Sequence, residues 1–119
     1  MDELDLFSWA IGFWEGEGSV GSPQGAYARY LRINADQNTR EPLERMLEVF
    51  GGSIKARHPS RSGRIIYRWQ VQGAFAWTCA DRMMPHLSER RQEQLREHME
   101  RSKDQRDAAK DGRTREPVP

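Results

Sequence analysis

Trp9-Ala10-Ile11-Gly12-Phe13-Trp14-Glu15-Gly16-Glu17-Gly18-Ser19 is the stretch on which the fold turns. Leu6, Trp9, Ala10, Phe13 and Trp14 recur at helical spacing, which predicts a helix over Leu4–Glu15 with Asp2 or Asp5 as its N-cap. Gly12 and Gly16 stand four apart on one face of that helix. A glycine costs about 1 kcal/mol against alanine in a helix interior, so two of them need a reason. Close approach of another backbone supplies one.

Outward from this helix the pattern alternates between periods. Gly18–Ser22 reads as a short strand, followed by a Ser22-Pro23-Gln24-Gly25 turn. Ala28–Gln37 has period 2, with Leu31, Ile33 and Ala35 on one side and Tyr30, Arg32 and Asn34 on the other. Thr39–Phe50 is amphipathic, with Leu43, Met46, Leu47 and Phe50 as its apolar stripe. Asn38 or Thr39 is the expected cap, and Gly51-Gly52 the stop. Ser53–His58 and Arg64–Val71 alternate around the Pro59–Gly63 turn. They place Ile65, Tyr67, Trp69 and Val71 on one face and Arg64, Ile66, Arg68 and Gln70 on the other. Gly73–Met84, broken by Pro85, and Ser88 to about Arg101 complete the helices. The expected architecture is α+β, in the order α-β-β-α-β-β-α-α, with a four-stranded antiparallel sheet and helices on one face. Residues 1–101 form the expected domain, and 102–119 read as a polar tail.

A net charge of +1 conceals an uneven distribution. Gly18–Ala35 has no acid and carries Arg29 and Arg32. Val49–Ala80 has none either and carries Lys55, Arg57, Arg61, Arg64 and Arg68. The outward positions, Tyr30, Arg32, Asn34, Lys55, Arg57, Arg64, Arg68 and Gln70, therefore compose a face of bases, amides and an aromatic, read as free of acids, and Arg61 in the Pro59–Gly63 turn joins them as a binding candidate. Such a face suits phosphates and base edges. Chance clustering of surface arginines is the plain alternative. One cysteine, Cys79, excludes an internal disulfide framework, and it falls on an apolar helix face. His58, His86 and His98 have no ligand spacing and are read as non-catalytic, with His58 placed to touch a partner from its hairpin. An acidic start, Met1-Asp2-Glu3, and the lack of a long apolar run favour a cytoplasmic protein, in a prokaryotic or phage-infected cell or an organelle matrix.

The quoted stretch resembles the signature of the LAGLIDADG homing endonucleases, of the type with a single motif per chain. Gly12, Glu15, Gly16, Glu17 and Gly18 fall on its glycine, first acid, small residue, second acid and last glycine. The resemblance extends over about Leu4 to Met99, in the half-domain order of that family, whose sheet is saddle-shaped. It implies a site-specific double-strand DNA endonuclease that hydrolyses phosphodiesters with Mg²⁺ or another divalent cation such as Mn²⁺. It assigns the metal-binding role to Glu17 and a structural place to Glu15. It makes Gln37 the candidate for orienting metal-bound water. Arg90, with Arg91 as the fallback, stands where the family commonly has lysine near the scissile phosphate. A guanidinium there supplies charge but exchanges no proton readily.

One motif cannot build two active sites. A homodimer packed through Gly12, Phe13 and Gly16, bringing two Glu17 carboxylates to one near-palindromic duplex, is the economical expectation. No membrane and no small-molecule substrate are expected. The competing readings are a non-cleaving DNA- or RNA-binding module (a maturase or regulator) on the same fold, and a purely structural α+β domain.

Overall fold

The computed structural model describes residues 2–22, 30–57 and 63–102. Helix α1 runs Glu3–Glu17. Of the two candidate caps Asp2 is the one used, its carboxylate accepting from the Asp5 N–H at 2.8 Å. The helix continues two residues beyond the expected Glu15, so Glu17 is its last residue. Strand β1 (Gly18–Gly21) follows at once. Gly18 must be glycine, because a Cβ there would overlap the indole of Trp14. Strand β2 is Arg32–Gln37, helix α2 Glu41–Phe50, strand β3 Ser53–Arg57 and strand β4 Ile66–Gln72. Helix α3 (Ala74–Met83) passes into a 3-10 turn at Met84–His86, and α4 spans Glu89–Arg101.

Some expected boundaries move. Helix α2 is not capped by Asn38 or Thr39. Its N-cap is Arg40, with no side-chain cap bond. Pro42 in its first turn brings no N–H and so lowers the number of donors that need a cap. Ile65, expected on the inward face, precedes β4 and is 43% exposed. Ser102, expected as the first residue of the tail, is buried and caps α4, its hydroxyl donating to the His98 carbonyl.

The sheet order is β1-β2-β4-β3, with every neighbouring pair antiparallel. The register aligns Ala35 with Gly18 and Trp69, and Trp69 with Ile54. Ile33, Ala35, Trp69 and Val71 thus share one face, and the helices cover it. Trp14 and Trp69 are fully buried, and both indole N–H groups are satisfied, by the Asn34 carbonyl at 3.2 Å and the Gly51 carbonyl at 2.7 Å. Gly51 and Gly52 adopt φ of 74° and 96°, and a Cβ on Gly52 would strike the Gln70 carbonyl. This glycine pair turns the chain from α2 into the edge strand β3. Among the described residues no helix is long and apolar enough to cross a membrane.

Candidate functional site

Two strands and two helices meet where α1 ends. Glu17 closes α1 and is exposed, and Gln37 closes β2 beside it. The Gln37 amide donates to Glu17 Oε1 at 3.3 Å. The fold therefore brings together two of the three residues assigned to chemistry.

The position of Glu17 is set by a clamp behind it. The last carbonyls of a helix lack intrahelical donors, and they form the negative end of its dipole. Arg91, on the first turn of α4 and only 6% exposed, answers both conditions. Its Nε donates to the Glu15 carbonyl at 3.0 Å, and its Nη2 to the carbonyls of Trp14 at 3.3 Å and Gly18 at 2.8 Å. Its Nη1 donates to Gln94 at 2.7 Å, and its guanidinium lies 4.5 Å from the Trp14 ring centroid. Arg91 is thus a cap on α1 supplied from α4.

Glu15 returns the favour to α4. Its carboxylate accepts from the Ser88 N–H at 2.9 Å and the Ser88 hydroxyl at 2.8 Å. The Ser88 backbone N–H, the Ser88 hydroxyl and the charges of Arg91 and Arg90 together hold this carboxyl below its ordinary range against a smaller desolvation effect. Its oxygens are committed to capping, so of the two acids of the motif Glu17 is the one that faces outward with little to hold it. Arg90 is exposed on α4, close enough for its charge to act on Glu15.

The sheet face away from the helices carries Arg32, Asn34 and Asp36 on β2, Arg68, Gln70 and Gln72 on β4, and Ser53, Lys55 and Arg57 on β3. One expectation is corrected: this face is not free of acid. The alternation that sends Arg32 and Asn34 outward continues to Asp36. Arg68 binds Asp36 through Nε at 2.7 Å and Nη2 at 3.0 Å, and Arg57 Nη1 reaches it at 3.0 Å. Partial burial disfavours the Asp36 charge, but the bonds and charges of Arg68 and Arg57 outweigh it and keep the carboxyl below its ordinary range. Asn34 is 5% exposed, and its Oδ1 accepts from the Ser19 hydroxyl at 2.9 Å. Lys55 and Arg57 are exposed, and Arg32 and Gln70 half-buried. The Arg32 Nε is buried without a partner among the described residues. Tyr30 is half-buried ahead of β2 and Arg64 exposed ahead of β4. Arg61 and His58 lie outside the described residues.

On α1, Gly12 and Gly16 are exposed, and a Cβ at either would meet nothing within 4 Å. No contact within the described chain explains these two glycines. Phe13, half-buried, stacks on Trp9 with ring centroids 5.0 Å apart. Among the described residues no three His, Cys, Asp or Glu side chains cluster to hold a metal ion. Cys79 is a core residue whose thiol burial pushes up to about 12.

The fold defined by this helix, sheet and element order is that of the LAGLIDADG homing endonucleases. The solved structures it matches include the homing endonuclease I-CvuI. One is I-CvuI in complex with its target in the presence of calcium (TM-score 0.62, 18% identity, 80% of this chain and 65% of that chain). A second is I-CvuI with another target DNA in the presence of magnesium, the DNA not cleaved (TM-score 0.60, 18% identity, 78% and 62%). The chain thus spans less than two thirds of the length of these structures. No family model matches the sequence. No curated protein matches it either.

Proposed function

We propose that the chain is a site-specific, double-strand DNA endonuclease of the homing type, acting as a homodimer with a divalent cation. The observation that carries this reading is the division of labour between the motif's two acids. Glu15 is spent on capping α4, while Glu17 stands exposed at the end of α1, where among the described residues the Gln37 amide is its hydrogen-bond partner. An acid at the C-terminal end of a helix is opposed by the dipole, so a purely structural filler is an uneconomical use of that position.

The donor set suits a hard cation, because Glu17 and Gln37 both offer oxygen. One carboxylate is too few to hold it. A second copy of α1, packed across the bare faces of Gly12 and Gly16 with Phe13 at the edge, would supply the second Glu17, and the scissile phosphates would supply the remaining oxygens. The bound cation, Mg²⁺ or Mn²⁺, would polarise the phosphodiester and lower the pKa of attacking water. In this reading Glu17 anchors, Gln37 orients the water through its amide, and Arg90 offers positive charge to the scissile phosphate. Tyr30, Arg32, Asn34, Lys55, Arg57, Arg61, Arg64, Arg68 and Gln70 would meet the duplex. The likeness to DNA-bound homing endonucleases in fold supports this use of the sheet.

Arg90 favours a second reading. A guanidinium cannot take part in proton transfer at ordinary pH, so a chain that binds DNA or RNA without cutting it, as a maturase or regulator, would tolerate arginine there. The test is incubation with DNA spanning the chain's own chromosomal locus with its gene removed, in Mg²⁺ and in EDTA. Discrete double-strand cutting in Mg²⁺ alone supports the endonuclease. Salt-dependent binding without cutting favours the second reading.

A further inference from the structure

The carboxylate in the middle of the sheet face calls for an explanation. If Arg57 and Arg68 served only to neutralise phosphates, Asp36 between them would work against that task. It cancels one of their two charges and repels the same polyanion. Its geometry suits another purpose. Asp36 and Arg68 face each other across β2 and β4, and Lys55 flanks Arg68 on β3. The carboxylate grips Arg68 along one side, through Nε and Nη2, and takes Nη1 of Arg57 on its second oxygen. A guanidinium held along the Nε edge leaves its end-on fork, Nη1 with the remaining N–H of Nη2, free of the carboxylate and in the plane that the carboxylate fixes. That fork has the spacing of the O6 and N7 acceptors on the major-groove edge of guanine. Arg68 is also the more buried of the pair, with its side chain 24% exposed against 52% for Arg57.

We propose that Asp36 is a specificity-determining positioning residue, which locks the Arg68 guanidinium to read one guanine in each half of the DNA target and gives up general DNA affinity to do so. The inference rests on the reading that this face meets duplex DNA. It predicts effects of opposite sign from a single substitution. Removing the carboxylate adds net positive charge to the face, so affinity for arbitrary DNA at low salt rises. The same change lets the Arg68 fork rotate, so discrimination at one base pair of each half-site falls by about ten-fold, the scale of one bidentate arginine–guanine contact.

The experiment is selection from a randomised duplex library in EDTA, where binding is read without cutting, using the wild-type chain, Asp36→Asn and Arg68→Lys. Affinity for a fixed arbitrary duplex is measured alongside, and thermal melting checks that each variant is folded. The expected result is a wild-type motif with a symmetry-related guanine that both variants lose, while Asp36→Asn binds the arbitrary duplex several-fold more tightly. Arg68→Lys keeps the Asp36 charge and removes only the fork, so it tests the proposal even if Asp36→Asn does not fold. If either folded variant selects the wild-type motif with its guanine unchanged, the proposal is overturned and the DNA-binding reading stands. If the wild-type chain binds no duplex in a salt-dependent way, the reading of the face fails and the inference falls with it.

Discussion

Replacing Arg91 by methionine keeps most of the side chain's volume and deletes its guanidinium. In the structure that group donates four hydrogen bonds, three of them to backbone carbonyls at the end of α1, and lies over the Trp14 ring. A hydrogen bond to a charged group contributes about 1.5–3 kcal/mol, and the cation–π contact about 0.5–2 kcal/mol. The bonds share one group and are not additive. A loss of about 3–5 kcal/mol is expected, the range for breaking a buried, fully engaged charge. For a domain of this size that corresponds to a fall in Tm of about 15–30 °C. Thermal melting and urea titration measure it, at fixed protein concentration so that self-association does not move the midpoint. Arg91→Lys retains the charge but cannot span the carbonyls of Trp14, Glu15 and Gly18 at once, so it should lose about half as much. A loss below about 1 kcal/mol for Arg91→Met would refute the claim that a residue on α4 holds the end of α1.

Other expectations follow from the same geometry. Gly12→Ala or Gly16→Ala should raise the stability of the single chain by about 0.5–1 kcal/mol, because alanine is the better helix former and nothing lies near its Cβ. The same changes should weaken any dimer, as read by sedimentation across a concentration series. Gly18→Ala should destabilise the fold by about 1–3 kcal/mol in chemical denaturation, since the added methyl must displace the Trp14 indole. Glu15 and Asp36 both have carboxyls held below their ordinary range, by the Ser88 N–H and by Arg68 with Arg57 respectively. A depressed folded pKa gives stability that is present above the unfolded value of about 4 and is lost as pH falls through the folded value. Glu15→Gln and Asp36→Asn should therefore lose less stability than wild type between about pH 5 and pH 2, measured as urea midpoints against pH.

How much of this could be read from residue order varies by element, and the pattern has a physical cause. Helix α1 is legible because Trp9, Ala10, Phe13 and Trp14 repeat at helical spacing, but its end is not. The carbonyls of Glu15 and Gly18, on either side of its last two residues, are bound by Arg91, which stands over seventy positions away in sequence and looks like one more surface base beside Arg90. The strands are legible from alternation until a residue resembles a turn former. The period-2 stretch Ala28–Gln37 includes Asp36, but the outward set drawn from it stops at Asn34, because Asp36-Gln37-Asn38 also has the composition of a turn; β2 runs through Gln37 and places Asp36 on the basic face. The start of α2 shows the converse. Asn38 and Thr39 have the right chemistry for a cap, yet the chain bends through them and the helix starts after Arg40, led by Pro42. The nearness of Gln37 to Glu17 came from the family resemblance and not from any local signal, because it depends on the registry of β2 against the end of α1.

We propose above that Glu17 carries the chemistry, while the Glu15 carboxylate is bonded to Ser88 at the start of α4. The most direct measurement compares Glu17→Gln with the wild-type chain on the gene-free locus DNA in Mg²⁺, with binding to the same duplex followed in parallel. Glu17→Gln is expected to bind as wild type does and to cut no longer. Cutting at the wild-type rate by Glu17→Gln would contradict the proposal.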